Sequence, residues 1–180
     1  MSLLPKFDDD LAAKARAAGC EFCGGRLDAA DYPRKPRGGD ELGDDYVWRR
    51  SFCCAVEGCR RRCTPPSVRF LGRKVYLGAV VVLATALQQG PSKKSVTKLS
   101  AILGINRRTL ARWRRWWSMR FAVSRFWTSL RGRFVPAVDE TALPASVLSR
   151  VTASDEPAVV VFLRLLAPIS TRPHLAASAS

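Results

Sequence analysis

Six cysteines, at positions 20, 23, 53, 54, 59 and 63, fall into two groups, "GCEFCGG" and "FCCAVEGCRRRC", and this grouping limits the fold more than any other feature. In a reducing compartment, thiols gathered at such short spacings point to a metal before they point to disulfides. Cys20 and Cys23 form a C-x2-C pair followed by Gly24 and Gly25, which let the chain turn tightly around an ion and aim backbone amides at the sulfurs. The stretch "YVWRRSFCC" roughly alternates apolar and polar residues, as a strand does, so it can deliver Cys53 or Cys54 to the ion but not both. Cys54 and Cys59 are separated by four residues, with Gly58 to help the turn. The expected ligands are Cys20, Cys23, Cys54 and Cys59 around one zinc ion. Two exchanges stay open on spacing alone: Cys53 for Cys54, or a Cys59-x3-Cys63 pair.

The 30 residues between Cys23 and Cys54 include "DYPRKPRGGDELGDD", whose Pro, Gly and charge predict an exposed loop between two strands of a zinc ribbon. So short a module cannot bury enough apolar surface to fold alone, and the metal would supply the deficit. Four thiolates leave no open coordination position for water, so the ion is expected to be structural and not catalytic.

Charge points to a partner. The formal net charge is +15, and it is unevenly placed: between Trp48 and Val135 lie 20 Lys/Arg and one acid, Glu57, whereas the other 92 residues hold 10 bases and 14 acids. Such a concentration favours a polyanion, through phosphate contacts and counterion release. The start "MSLLPKFDDDLAAKARAAG" carries three successive aspartates and no long apolar core, so no secretory signal is expected, and the location expected is cytoplasmic, at the nucleoid. The strongest apolar run, "VYLGAVVVLATAL" from Val75 to Leu87, has 13 residues, short of the roughly 20 that span a bilayer. It predicts a buried helix from about Arg73 to Gln89, ended by Gly90 and Pro91, and no membrane partner is expected.

The segment "SVTKLSAILGINRRTLARWRRWW" organises part of this charge. Val96, Leu99 and Leu103 mark one face of a helix capped by Ser95 and ended by Gly104, and small Ser100 lies where a second helix must approach. Asn106 caps that second helix, whose apolar stripe is Leu110, Trp113, Trp117 and Phe121, at spacings of three and four. Two helices joined by a short glycine-containing turn predict a helix-turn-helix. Arg108, Arg112 and Arg115 then lie opposite the stripe, with Arg107 and Thr109 at the exposed N-terminal end. That is where a recognition helix meets the edges of bases in the major groove of duplex DNA. No Glu or Asp occurs from Gly58 to Ala137 to offset these cations within the chain. A second basic set, Arg60, Arg61, Arg62, Arg69, Arg73 and Lys74, is expected to clamp the DNA backbone, on a connector kept extended by Pro65 and Pro66.

In its order of parts the chain resembles the N-terminal region of zinc-ribbon insertion-sequence transposases. The parts are C-x2-C, a strand into a second cysteine pair, the exit "CRRRCT", the extended "PSVRF", the basic helix "LGRKVYLGAVVVLA" and a helix-turn-helix, over about residues 18 to 118. The resemblance implies that Cys20, Cys23, Cys54 and Cys59 take the metal positions and that the helix from Arg107 takes the recognition position. A departure from those transposases is expected after Trp117, because the following 63 residues with four acids, Asp139, Glu140, Asp155 and Glu156, are not expected to form their carboxylate nuclease domain.

From Pro136 the composition shifts to Ala, Val, Leu, Ser and Pro: "ETALPASVLSRV" and "EPAVVVFLRLLAPI" predict short helices, and "STRPHLAASAS", with the sole histidine His174, a frayed end. The apolar run "AVVVFLRLLA" is expected either to pack on the preceding domain or to join two copies of the chain in a homodimer. The expected fold is α+β, mostly α: a helical lead over 1–17, a zinc ribbon over 18–66, a three-helix helix-turn-helix domain over 67–123 and a helical extension over 124–180. The expected function is zinc-dependent, sequence-specific DNA binding without catalysis, as an accessory factor of a mobile element or a transcriptional regulator, with duplex DNA and a separate transposase or recombinase as partners. The alternatives are the targeting fragment of a split or decayed transposase, and an RNA-binding zinc ribbon.

Overall fold

Alternation of side chains along one short strand decides which cysteine turns inward. In the computed structural model, which describes residues 3–34, 36, 43–72, 76–87, 101, 104–151 and 156–171, Phe52 and Cys54 of strand β4 (Phe52–Cys54) are buried and Cys53 between them faces the other way. β4 is the central strand of a three-stranded antiparallel sheet, between β1 (Leu27–Ala29) and β5 (Arg62–Cys63). Its register sets Leu27 opposite Cys54 and Phe52 opposite Cys63. A second antiparallel pair joins β2 (Tyr32–Pro33) to β3 (Trp48–Arg49). The single strand expected over "YVWRRSFCC" is therefore two strands in two sheets. Asp31 makes the break: its carboxylate accepts from the Ser51 amide at 2.9 Å and from Arg50 Nη1 at 2.8 Å, where the chain passes from one sheet to the other.

Helix α1 (Leu3–Ala18) lays Ala12 and Ala15 on this sheet, and the apolar cluster there is small: Ala12, Cys20, Leu27, Phe52 and Cys54, flanked by Ala15, Cys59 and Cys63. Four of these eight are cysteines. Asp8 of the same helix is fully buried and holds the connector after the sheet, accepting from the Val68 amide at 2.7 Å, from Ser67 Oγ, and from Arg69 Nε at 2.8 Å. Pro65 and Pro66 lead into this connector, which ends in a bridge between Phe70 and Leu77.

The chain divides into two compact units, one made of residues 1–77 with 164–180 and the other of residues 78–163. The second unit begins with α2 (Gly78–Leu87), which bears out the buried helix expected there over its described part; Arg73, Lys74, Val75, Gln88 and Gln89 lie outside the described residues. α2 packs against α3 (Arg107–Trp116) and α5 (Ala145–Arg150), burying Val81, Val82 and Ala84. A π-helical turn (Trp117–Phe121) continues α3, and α4 (Arg125–Arg131) follows. The tail helix expected in "EPAVVVFLRLLAPI" is α6 (Ala158–Leu166), whose residues to Leu163 belong to the second unit. Phe162 stacks on Trp117 at 5.8 Å, within an aromatic core that also buries Phe121 and Trp127. The fold is thus α+β, with six α-helices and two small antiparallel sheets among the described residues.

Candidate metal centre and nucleic-acid interface

Two turns bring four sulfurs together. In the first, the Gly24 amide donates to the Cys20 carbonyl at 2.8 Å and the Cys20 amide to the Gly25 carbonyl at 2.9 Å, closing a loop that Gly24 completes at φ 69°. In the second, Cys59 and Arg60 both donate to the Val56 carbonyl at 3.0 Å, and Arg60 takes the position after the cysteine that Gly24 takes in the first turn, at φ 44°. The Sγ atoms of Cys20, Cys23, Cys54 and Cys59 all lie within 4.8 Å of one another, with Cys20 to Cys59 at 3.7 Å and Cys23 to Cys54 at 3.5 Å. Four cysteines so clustered can hold a metal ion. These are the four that spacing favoured. Cys53 sits on the outer face of β4, its thiol near the Arg60 carbonyl at 3.4 Å, and Cys63 packs beside the cluster without joining it.

Backbone amides address each sulfur of the group. The Phe22 amide, with that of Cys23, draws the Cys20 thiol down to about 7. The other three thiols are raised. At Cys54 burial is the main cause, opposed by the Val56 amide. At Cys23 and Cys59 the amides of Gly25 and Arg61 pull downward, and neighbouring sulfurs with burial outweigh them. Gly25 leaves no room for a side chain: a Cβ there would lie 2.4 Å from Val56 Cγ2 and 3.3 Å from the sulfurs of both Cys23 and Cys54.

The second site expected from sequence is the arginine face of α3. Gly104 adopts φ 60°, Ile105 is buried, and the Asn106 side chain accepts from the Arg108 amide at 2.8 Å, so the expected cap is in place. Leu110, Trp113, Trp117 and Phe121 are all buried, as their spacing required. Arg107, Arg108, Arg112 and Arg115 are exposed and Thr109 is half-buried. Arg112 Nη2 reaches Thr109 Oγ1 at 3.5 Å and Arg115 Nε reaches Met119 Sδ at 3.3 Å. The preceding helix expected over Val96–Leu103 lies outside the described residues apart from Ala101, which is helical.

Among the second basic set, Arg60, Arg61 and Arg62 are exposed, and Arg73 and Lys74 lie outside the described residues. Arg69 has to be taken out of that set. It is 2% exposed, with Nε on Asp8, Nη2 on the Trp48 carbonyl at 3.0 Å and Nη1 on the Asp45 carbonyl, so no part of it is left to meet a phosphate. Arg49 is also interior, donating to the Pro65 carbonyl, and burial pulls its guanidinium below the ordinary value. Both flank Phe70, with guanidinium carbons 5.2 and 5.8 Å from the ring centre. Sequence reasoning missed this buried group because Asp8 stands in a run of three aspartates that looks solvated; the usable signal was its place on the apolar face of α1, four residues before Ala12.

No described helix is long and apolar enough to cross a membrane. No family model, curated protein or solved structure matches the chain.

Proposed function

We propose that this chain is a zinc-dependent protein that binds a defined site on duplex DNA, serving a mobile element as an accessory factor or acting as a transcriptional regulator. The observation that carries the reading is α3, which buries one apolar stripe and presents Arg107, Arg108, Arg112 and Arg115 to solvent with no acid anywhere along its length. Like charges at helical spacing repel, and a phosphate backbone or a guanine edge relieves that repulsion. In this reading Gly104 to Asn106 is the turn of a helix-turn-helix and α3 its recognition helix, while Arg60, Arg61 and Arg62 hold the backbone.

Zinc fits the four sulfurs. Zn–S bonds of about 2.3 Å in a tetrahedron separate the sulfurs by roughly 3.8 Å, close to the 3.5 and 3.7 Å found between two of the pairs. The two turns and the three-stranded sheet then make a zinc ribbon, and the ion holds together a unit whose own apolar cluster is small. No catalytic step is assigned to the chain. Its setting is the cytoplasm at the nucleoid, with a second copy, or a separately encoded transposase or recombinase like those its sequence resembles, as a further partner.

Selection of random duplex DNA by the zinc-loaded protein at about physiological salt tests the reading, because nonspecific phosphate binding is already weakened there. A shared enriched motif is the expected outcome. Binding that fades smoothly with salt and enriches nothing would refute sequence reading.

A further inference from the structure

We propose that the metal centre also builds a stacking platform for unpaired nucleobases of a DNA strand, an inference that rests on the DNA-binding reading above. The platform is a guanidinium laid on an aromatic ring across the two cysteine turns. Phe22, between Cys20 and Cys23, is 49% exposed, and the Arg61 guanidinium carbon lies 4.1 Å from its ring centre. Each partner is fixed by its own backbone: the Phe22 amide bonds the Cys20 sulfur and the Arg61 amide bonds the Cys59 sulfur. The stack is therefore positioned by two of the four sulfurs of the candidate metal centre, those of Cys20 and Cys59.

A second pair of this kind lies on the face of the sheet that carries Cys53, with the Arg62 guanidinium carbon 5.7 Å from the ring centre of Tyr32. Arg60, Arg61 and Arg62 are all exposed, and none forms an ion pair among the described residues. Half-exposed Val56, on the second turn, adds apolar surface at this end of the sheet. An arginine laid on an exposed aromatic ring, beside further exposed arginines, supplies two needs of an unpaired strand: a planar face on which a base can stack, and cations that meet the phosphates between bases. The interior of a duplex offers Phe22 no base face, since its bases are stacked on one another and only groove edges and phosphates are open. The chemistry therefore selects a strand end, bulge or junction.

The test titrates zinc-loaded full-length protein with two DNAs sharing one duplex, one blunt and one with a short overhang carrying 2-aminopurine. The overhang is expected to raise affinity about tenfold, within the range of one stacked base, and binding should quench 2-aminopurine emission. Phe22→Leu, checked for full zinc content, should lose the gain and the quenching while binding the blunt duplex as before; Phe22→Tyr should keep both. Equal affinity for the two DNAs without quenching overturns the platform and leaves the duplex-binding reading standing, whereas failure to bind either DNA overturns both. Quenching that persists in Phe22→Leu also overturns it, and the wild-type comparison decides alone if that variant fails to hold zinc.

Discussion

Asp8 is the residue on which the N-terminal unit leans hardest apart from its cysteines. It is fully buried, and besides Arg69 it satisfies the Val68 amide and Ser67 Oγ. Removing one partner of a buried ion pair leaves the other charge uncompensated, which costs about 3–5 kcal/mol. Asp8→Ala should lower unfolding free energy by that order in a urea titration, and a loss below about 1 kcal/mol would mean that water reaches Arg69. The sulfurs carry a second residue-scale prediction. Three of the four thiols are raised above the ordinary thiol value and so arrive protonated at pH 7, while Cys20, lowered to about 7, is half-ionised there. Zinc uptake at pH 7 should then release about 3.5 protons per ion, readable with a pH indicator in weak buffer. The sign follows from Cys20: the stability its lowered value supplies is present at high pH and is lost as pH falls through about 7, so acid should expel the metal. Cys20→Ser should abolish stoichiometric zinc and Cys63→Ser should not; the reverse pattern would overturn the ligand set. Spacing and the strand period made these four cysteines legible, because both act over a few residues. The pairing of Asp8 with Arg69, 61 residues apart, leaves no local trace.

Among the elements, α3 was the most legible, because a 3.6-residue period, a capping Asn and a preceding Gly are all local signals. Its continuation was not. The stripe runs Leu110, Trp113, Trp117, Phe121, and two successive steps of four overshoot an ideal helix. The chain answers with a π turn, in which the Ala122 amide donates to the Trp117 carbonyl at 3.0 Å and Phe121 stays against Trp117, ring centres 4.7 Å apart. A spacing count sees only the apolar positions and cannot tell a wider turn from a drifting stripe. Likewise, the division of "YVWRRSFCC" between two sheets depends on Asp31, about 20 residues earlier in sequence, as the Ser51 contact shows. On α3 itself, Asn106→Ala removes the cap and should cost about 1 kcal/mol of stability. Arg108→Ala and Arg112→Ala should leave stability unchanged and weaken preferred-site binding by about 1–3 kcal/mol if they read bases. An equal loss on every DNA sequence would assign them to phosphates instead.

For the whole molecule, the uneven charge was plain in the sequence, but its partition between surface and interior was not. Arg49 and Arg69 count toward the basic segment and are nonetheless interior, each bonded to backbone carbonyls, because a guanidinium can end a backbone hydrogen-bond chain where a Lys cannot fork. Only the exposed cations can release counterions. Arg60, Arg61, Arg62, Arg107, Arg108, Arg112 and Arg115 are the exposed members of the two proposed contact sets, and seven phosphate contacts from them would give a slope of about −6 in log affinity against log salt. That value bounds these seven from above, since an arginine that reads a base neutralises no phosphate. Titrations from about 50 to 200 mM salt should therefore give a slope between about −3 and −6, and substituting Arg61 by Ala should reduce its magnitude by about 1. A slope shallower than about −1 would show that the exposed arginines do not meet phosphates, and the concentration of charge between Trp48 and Val135 would then need another partner.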